Sequence, residues 1–326
     1  MDLRRTILQI GVYMKKIIQV SGSVAFDTIL KFEGLFSENL PSTISGPIGL
    51  SFFCPEMKKE PGGCAANICY NLSLLEQNCS LLGSFGKDGE TYFNELKNRG
   101  IDTSFSKLHE DCFTAQAVIT TDSGGDQITS FHPGAMSLSG KMGISNLETS
   151  YGIVSPNSYD AMLRHATEFE ERHIPFIFDP GQALPMFEKK DVLRLIHMAS
   201  WLTLNEYEGE LLSQILEQDL NSIVNKLNAV KGSAIIQTLG ENGARVFTKD
   251  EAFSVNAIQP IKENDPTGCG DAFRAGLLCG FNLKHNIQKS VMFGNAMGCV
   301  KVEKDGAQNH RISLRELQKM VEKNYT

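Results

Sequence analysis

The sequence predicts an α/β fold: a doubly wound, mostly parallel sheet with a small second sheet as a lid. Three observations carry that prediction. Short apolar runs closed by glycine or proline alternate with longer runs of helical spacing. The 326 residues are 41% hydrophobic and 21% charged, enough for a large buried core. Two regions, about 24–60 and 104–136, break the alternation with strand-like runs and no helix.

Taken in order, KKIIQVSG (15–22) is a buried strand ended by a turn. GGCAANICYNLSLL (62–75) has helical spacing after a Gly-Gly break. CSLLGSFG (79–86) is a second buried strand, and DGETYFNELKNRG (88–100) a helix closed by Gly100. IPFIFDPG (174–181) is a strand stopped by Pro180 and Gly181. KDVLRLIHMAS is a helix, WLTLN a strand, EYEGELLSQIL a helix and SAIIQTLG a strand. Strands alternating with helices call for a parallel sheet covered on both faces. Of the two interruptions, the first holds DTILKFEGLF and GLSFFCPEMKKE, the second FTAQAVITTD and GDQITSFHPGAM. They form either one small sheet that covers a pocket or two unrelated edge hairpins. Residues 1–13 are an extension before a single domain spanning 14–326.

Bulk properties exclude several functions. The net charge is -7 with no long Lys/Arg cluster, so nucleic acid is not an expected partner. The eight cysteines include no Cys-x-x-Cys pair, and the seven histidines no close ligand pair. That reads as reduced thiols in a cytoplasmic protein without a zinc site. Lys15 and Lys16 break the only leader-like run, and no stretch of about 18 apolar residues exists to span a membrane.

One stretch carries chemistry, NDPTGCGDAFRAG (264–276). From Asp271 onward it reads as a buried helix. Gly268 and Gly270 free the backbone so that the N–H groups of residues 268–271 converge at the helix start. The helix dipole adds to them, giving an anion hole that needs no basic side chain. A carboxylate beside it suits phosphoryl transfer: the hole steadies the phosphoryl group and Asp271 takes an alcohol's proton. A glycine turn with an acidic first-turn residue is the alternative. Neither a P-loop nor a dinucleotide fingerprint is present.

DPTGCGDAFRAG closely resembles the C-terminal signature of the ribokinase-like (pfkB) carbohydrate and nucleoside kinases. PGGCAANICYNLSLL, about 200 residues earlier, resembles the family's other signature. The resemblance covers the chain from about Lys15 to the end and implies the family's doubly wound domain with a β-sheet lid. It also implies roles. Asp271 matches the catalytic base, and Gly268, Cys269 and Gly270 the anion hole. Asp27 matches an aspartate that grips sugar hydroxyls; Gly63 would allow close approach of the sugar and Asn67 would bond a hydroxyl. Asn205 and Glu208 form a capping box by pattern alone; in the family this Asn-x-x-Glu is associated with magnesium and phosphate-bound water. Thr238, Gly240 and Gly243 would lie by the ATP phosphates and ribose, and Asn295 would line the adenine pocket. Asp265, Thr267 and Gly306 align with a monovalent cation site, K+ being the candidate ion.

The implied reaction is ATP- and Mg2+-dependent phosphorylation of a primary hydroxyl. TAQAVITTDSGGDQITSFHPGAM (114–136) resembles the lid of bacterial adenosine kinases. Phe113 and Phe131 offer a base an aromatic face or pack in a core, and His132 faces the pocket or caps a turn. The expected substrate is adenosine or a related nucleoside. A free sugar is the alternative, and a catalytically silent nucleotide-binding regulator the third reading. Either a monomer or a homodimer is compatible with the sequence.

Overall fold

The computed structural model of the chain describes residues 16–39, 49–228, 230 and 232–325. The predicted extension, 1–13, lies outside them. Along the chain run β1 (Ile17–Ser21), β2 (Ala25–Lys31), α1 (Phe36–Asn39), β3 (Glu56–Gly62), α2 (Cys64–Leu74), β4 (Cys79–Leu82), β5 (Ser84–Gly86) and α3 (Glu90–Asn98). Then come β6 (Lys107–His109), β7 (Ala115–Thr121), β8 (Gln127–His132), β9 (Thr149–Val154), α4 (Tyr159–Glu171), β10 (Phe176–Phe178) and α5 (Lys189–Met198). The C-terminal part holds β11 (Trp201–Asn205), α6 (Glu206–Leu216), α7 (Leu220–Ile223), β12 (Ala234–Thr238), β13 (Ala244–Phe247) and β14 (Ala252–Val255). It ends in α8 (Cys269–Asn282), α9 (Ile287–Val302) and α10 (Leu314–Tyr325).

Eight strands form the main sheet in the order β14-β13-β12-β11-β10-β9-β1-β4. All pairings from β4 to β12 are parallel; β13 and β14 add an antiparallel edge. Period-two alternation splits the strand side chains between two cores. Ile177 and Ile236 join Leu72, Phe273 and Leu277 on one face. Phe176, Phe178 and Ile235 join Met162, Leu195 and Leu212 on the other. This is the doubly wound arrangement the alternation predicts. Strand β9 and helix α4 add to the predicted elements.

A second sheet of four strands has the order β3-β2-β7-β8, with β2 and β7 parallel and both outer pairings antiparallel. The two interruptions therefore join in one sheet. Two expectations change in detail. Residues 49–55 carry no strand, which starts only at Glu56. The run 79–86 is broken at Gly83, where an added Cβ would meet Val24 Cγ2 at 2.5 Å. Beyond that break β5 leaves the main sheet and pairs with β6.

Candidate active site

The order in which strands are added reverses at β1, which pairs with β4 on one side and β9 on the other. In open parallel sheets such a switch leaves a crevice at the carboxyl ends of the strands. Here that end presents Asp179, one residue past β10, Asn205 at the end of β11 and Thr238 at the end of β12. The N-termini of α6 and α8 meet them. Together they line a cavity of about 890 Å³ that includes Glu208, Gly240, Gly243, Gly268, Cys269, Gly270, Asp271, Arg274 and Asn295.

The start of α8 follows from its glycines. Gly268 is the N-cap, with φ 78° in the left-handed region, and an added Cβ would lie 2.8 Å from Ala307 Cβ. That conformation lets the Cys269 N–H donate back to the Pro266 carbonyl at 3.0 Å and α8 begin abruptly. Asp271 is thereby set in the first helical turn, where the dipole favours a negative charge.

Burial pushes the Asp271 carboxyl up to about 6, and the nearby Asp179 pushes the same way. Three groups oppose them: Asn67 Nδ2, donating to Asp271 Oδ2 at 2.9 Å, the Arg274 guanidinium and, least, the Cys64 thiol. The carboxylate is thus held near the pH at which a general base works best.

Arg274 is absent from the residues singled out by sequence. It lies one turn beyond Gly270, almost fully buried, and donates Nη1–H to the Gly270 carbonyl at 2.9 Å. Its Nη2 pairs with buried Asp179. A fork fixed at both prongs ties the carboxyl end of the central strand β10 to the glycine turn. The signal was an arginine inside an otherwise apolar helix run. Burial raises Asp179, and Arg274 works against that rise. Burial, then Asp179, also raises Glu208.

Asn205 caps α6 with a complete capping box: its Oδ1 accepts from the Glu208 N–H at 2.8 Å, and Glu208 Oε2 accepts from the Asn205 N–H at 2.8 Å. Glu208 Oε1 accepts from Asn205 Nδ2 at 3.0 Å. Each carboxylate oxygen already accepts one hydrogen bond and keeps acceptor capacity, so this cavity-lining pair fits a metal's hydration shell better than direct coordination. Among the described residues no cluster of three or more His, Cys, Asp or Glu is placed to hold a metal alone.

The second sheet supplies another set. Asp27 faces Glu60 on β3 and Ala117 on β7, and Ala117 faces Phe131 on β8. Alternation puts Asp27, Glu60 and Phe131 on one face. His132 pairs with Gln116, which faces Phe26, and so belongs to the opposite face. Burial, then the charges of Glu60 and Asp265, raise Asp27 to about 6. Asp265 precedes the glycine loop, so this face is turned toward the start of α8. Phe131 and Phe113 are both about half exposed, with Lys87 Nζ 4.3 Å from the Phe113 ring centre. Gly63, at φ 91°, is approached by backbone: an added Cβ would lie 2.6 Å from Ser23 O and Ala25 N. Asn67 is oriented by Gln308, whose Nε2 donates to Asn67 Oδ1 at 2.9 Å; Gln308 also reaches the Tyr92 hydroxyl at 2.6 Å.

The expected monovalent cation site has a different content. Thr267 and Gly306 offer backbone N–H groups to Asp265, at 2.8 Å to Oδ1 and 2.7 Å to Oδ2. Donors do not ligate a cation. The adjacent carbonyl oxygens already accept from a side-chain ammonium, that of Lys301. An ammonium thus already draws on the Asp265 and Lys304 carbonyls beside the expected K+ position.

Comparison with known proteins agrees with this geometry. Residues 49–313 match the pfkB family carbohydrate kinase. The chain is 30% identical over 315 residues to the nucleoside kinase of Methanocaldococcus jannaschii, covering 96% of this chain and 99% of that one. The structure of Burkholderia thailandensis nucleoside kinase in complex with inosine superposes with a TM-score of 0.84 at 34% identity, covering 94% of this chain and 98% of that one. The same kinase in complex with ADP-inosine gives 0.80 at 34% identity, covering 94% and 96%. A ribokinase of Staphylococcus aureus is 27% identical, over 76% of this chain and 83% of its own.

Proposed function

The chain belongs to the pfkB carbohydrate kinase family, and we propose that it phosphorylates the 5′-hydroxyl of adenosine, inosine or a related nucleoside. One observation carries the reading. Asp271, poised near pH 6, lies beside a glycine-built helix N-terminus inside a cavity large enough for a nucleotide. Likeness to nucleoside kinases over nearly the whole chain selects the acceptor.

The chemistry follows from the residues. Asp271 accepts the proton of the primary hydroxyl as its oxygen bonds to the γ-phosphorus. The bond from that phosphorus to the β,γ-bridging oxygen breaks, and ADP departs. Backbone N–H groups of Gly268, Gly270 and Asp271 take the charge on the transferring group, while the Cys269 N–H, expected to join them, is held by the Pro266 carbonyl. Arg274 holds the Gly270 carbonyl and lends Asp271 a nearby positive charge. Thr238, Gly240, Gly243 and Asn295, which line the same cavity, are assigned to the nucleotide. Magnesium, when bound with ATP, neutralises phosphate charge, and Asn205 and Glu208 would hold its water shell.

Asp27 is assigned to the ribose hydroxyls and the exposed rings of Phe113 and Phe131 to the base, with the second sheet closing over both. Unpaired cysteines support a cytoplasmic setting. The test is a panel of nucleosides and sugars with ATP and Mg2+. Adenosine or inosine should turn over far better than ribose or fructose. A preference for ribose or fructose would favour the sugar kinase reading, which the related ribokinase keeps open. No turnover of any alcohol would favour a silent regulator.

A further inference from the structure

Lys301 is 0% exposed, in the last turn of α9. Its Nζ donates to the Asp265 carbonyl at 2.7 Å and the Lys304 carbonyl at 3.0 Å, and lies 4.0 Å from Asp265 Oδ2. A dehydrated ammonium is stabilised by acceptors and a counter-charge, and here two carbonyl hydrogen bonds and one longer carboxylate ion pair supply them. All belong to two loops, 264–267 and 303–306. The same Asp265 carboxylate accepts from the Thr267 and Gly306 N–H groups, and Gly268 follows three residues on. Asn264 and Asp265 N–H groups bond the Val302 carbonyl, at 2.9 and 3.1 Å. The anion-hole loop is therefore hung on the end of α9 with a buried positive charge at the knot.

We propose that the Lys301 ammonium is a built-in monovalent cation: it fills the oxygen cage that a potassium or ammonium ion would otherwise occupy, positions the 264–268 loop, and makes the chain independent of added monovalent salt. The positioning claim rests on the kinase reading; the cage does not.

The experiment compares the full chain with Lys301→Met in KCl, NH4Cl, NaCl and choline chloride at matched ionic strength. Nucleoside phosphorylation, ATP binding by calorimetry and the melting temperature are read in each. Wild type should vary by no more than about two-fold among the salts, the range left once screening is equal. In choline, Lys301→Met should lose about ten-fold or more in turnover and melt lower, since its carbonyl cage is left unfilled. Potassium or ammonium should restore both in a saturable way, because an ion that binds only the folded form stabilises it by mass action. A wild type that needs potassium overturns the proposal. So does a variant indifferent to its loss, or one that no small cation restores. If the variant is insoluble, the indifference of wild type to salt still decides. Should neither protein phosphorylate any nucleoside, the kinase reading fails, while melting and ATP binding still report on the cage.

Discussion

Asn67 and Asp271 stand 204 residues apart and meet in a hydrogen bond of 2.9 Å. Asn67 comes from α2 and Asp271 from α8, and Gln308 behind them fixes the amide so that its NH2 faces the carboxylate. The bond favours ionised Asp271. Asn67→Ala should therefore move the acid limb of the pH profile of kcat/KM upward by about one unit, as loss of a hydrogen bond to the charged form requires. An unmoved limb would separate Asn67 from the base.

Asp271→Asn should abolish nearly all turnover while the chain still folds. Its stability has a definite sign. Asp271 binds its proton more tightly folded, at about 6, than at its ordinary 3.8. Its contribution to stability is thus full below pH 4 and lost as pH rises through 6. Asparagine has no charge to bury. The variant should gain on wild type between pH 4 and 6 and be more stable at pH 7.5, by about 2 kcal/mol. Denaturant melts at pH 4 and 7.5 would show the gap opening; an equal gap at both would refute it.

Wild-type turnover should fall as pH drops below about 6, because a protonated Asp271 cannot accept the hydroxyl proton. A profile flat down to pH 5 would remove Asp271 from the role of base.

Arg274→Lys keeps a charge but loses the fork that reaches both Gly270 and Asp179. It should fold and lose about 100-fold in kcat, the scale of a slightly misplaced site. Arg274→Ala strands buried Asp179 and should cost about 3–5 kcal/mol of stability. Thermal melts beside steady-state kinetics distinguish the two effects.

Asp27→Ala should raise the nucleoside KM by about 10- to 100-fold, the worth of a hydrogen bond to a charged group, while leaving the ATP KM unchanged. A loss confined to kcat would place Asp27 elsewhere than on the substrate.

The sequence by itself determined the layered sheet, because strand and helix periods differ and glycine or proline closes each run. It also marked Asp271 and its glycines, since a sharp helix start with a left-handed N-cap admits few residues, and the Asn205–Glu208 box, whose partners are three residues apart. Only tertiary structure decided the rest. Arg274 read as one charged residue in an apolar helix until Asp179, 95 residues earlier, came to face it. Lys301, which no sequence pattern singled out, is sealed against Asp265. His132 shares its strand with Phe131 but not its face. Burial and long-range pairing set these outcomes, and both depend on which elements pack together rather than on local pattern.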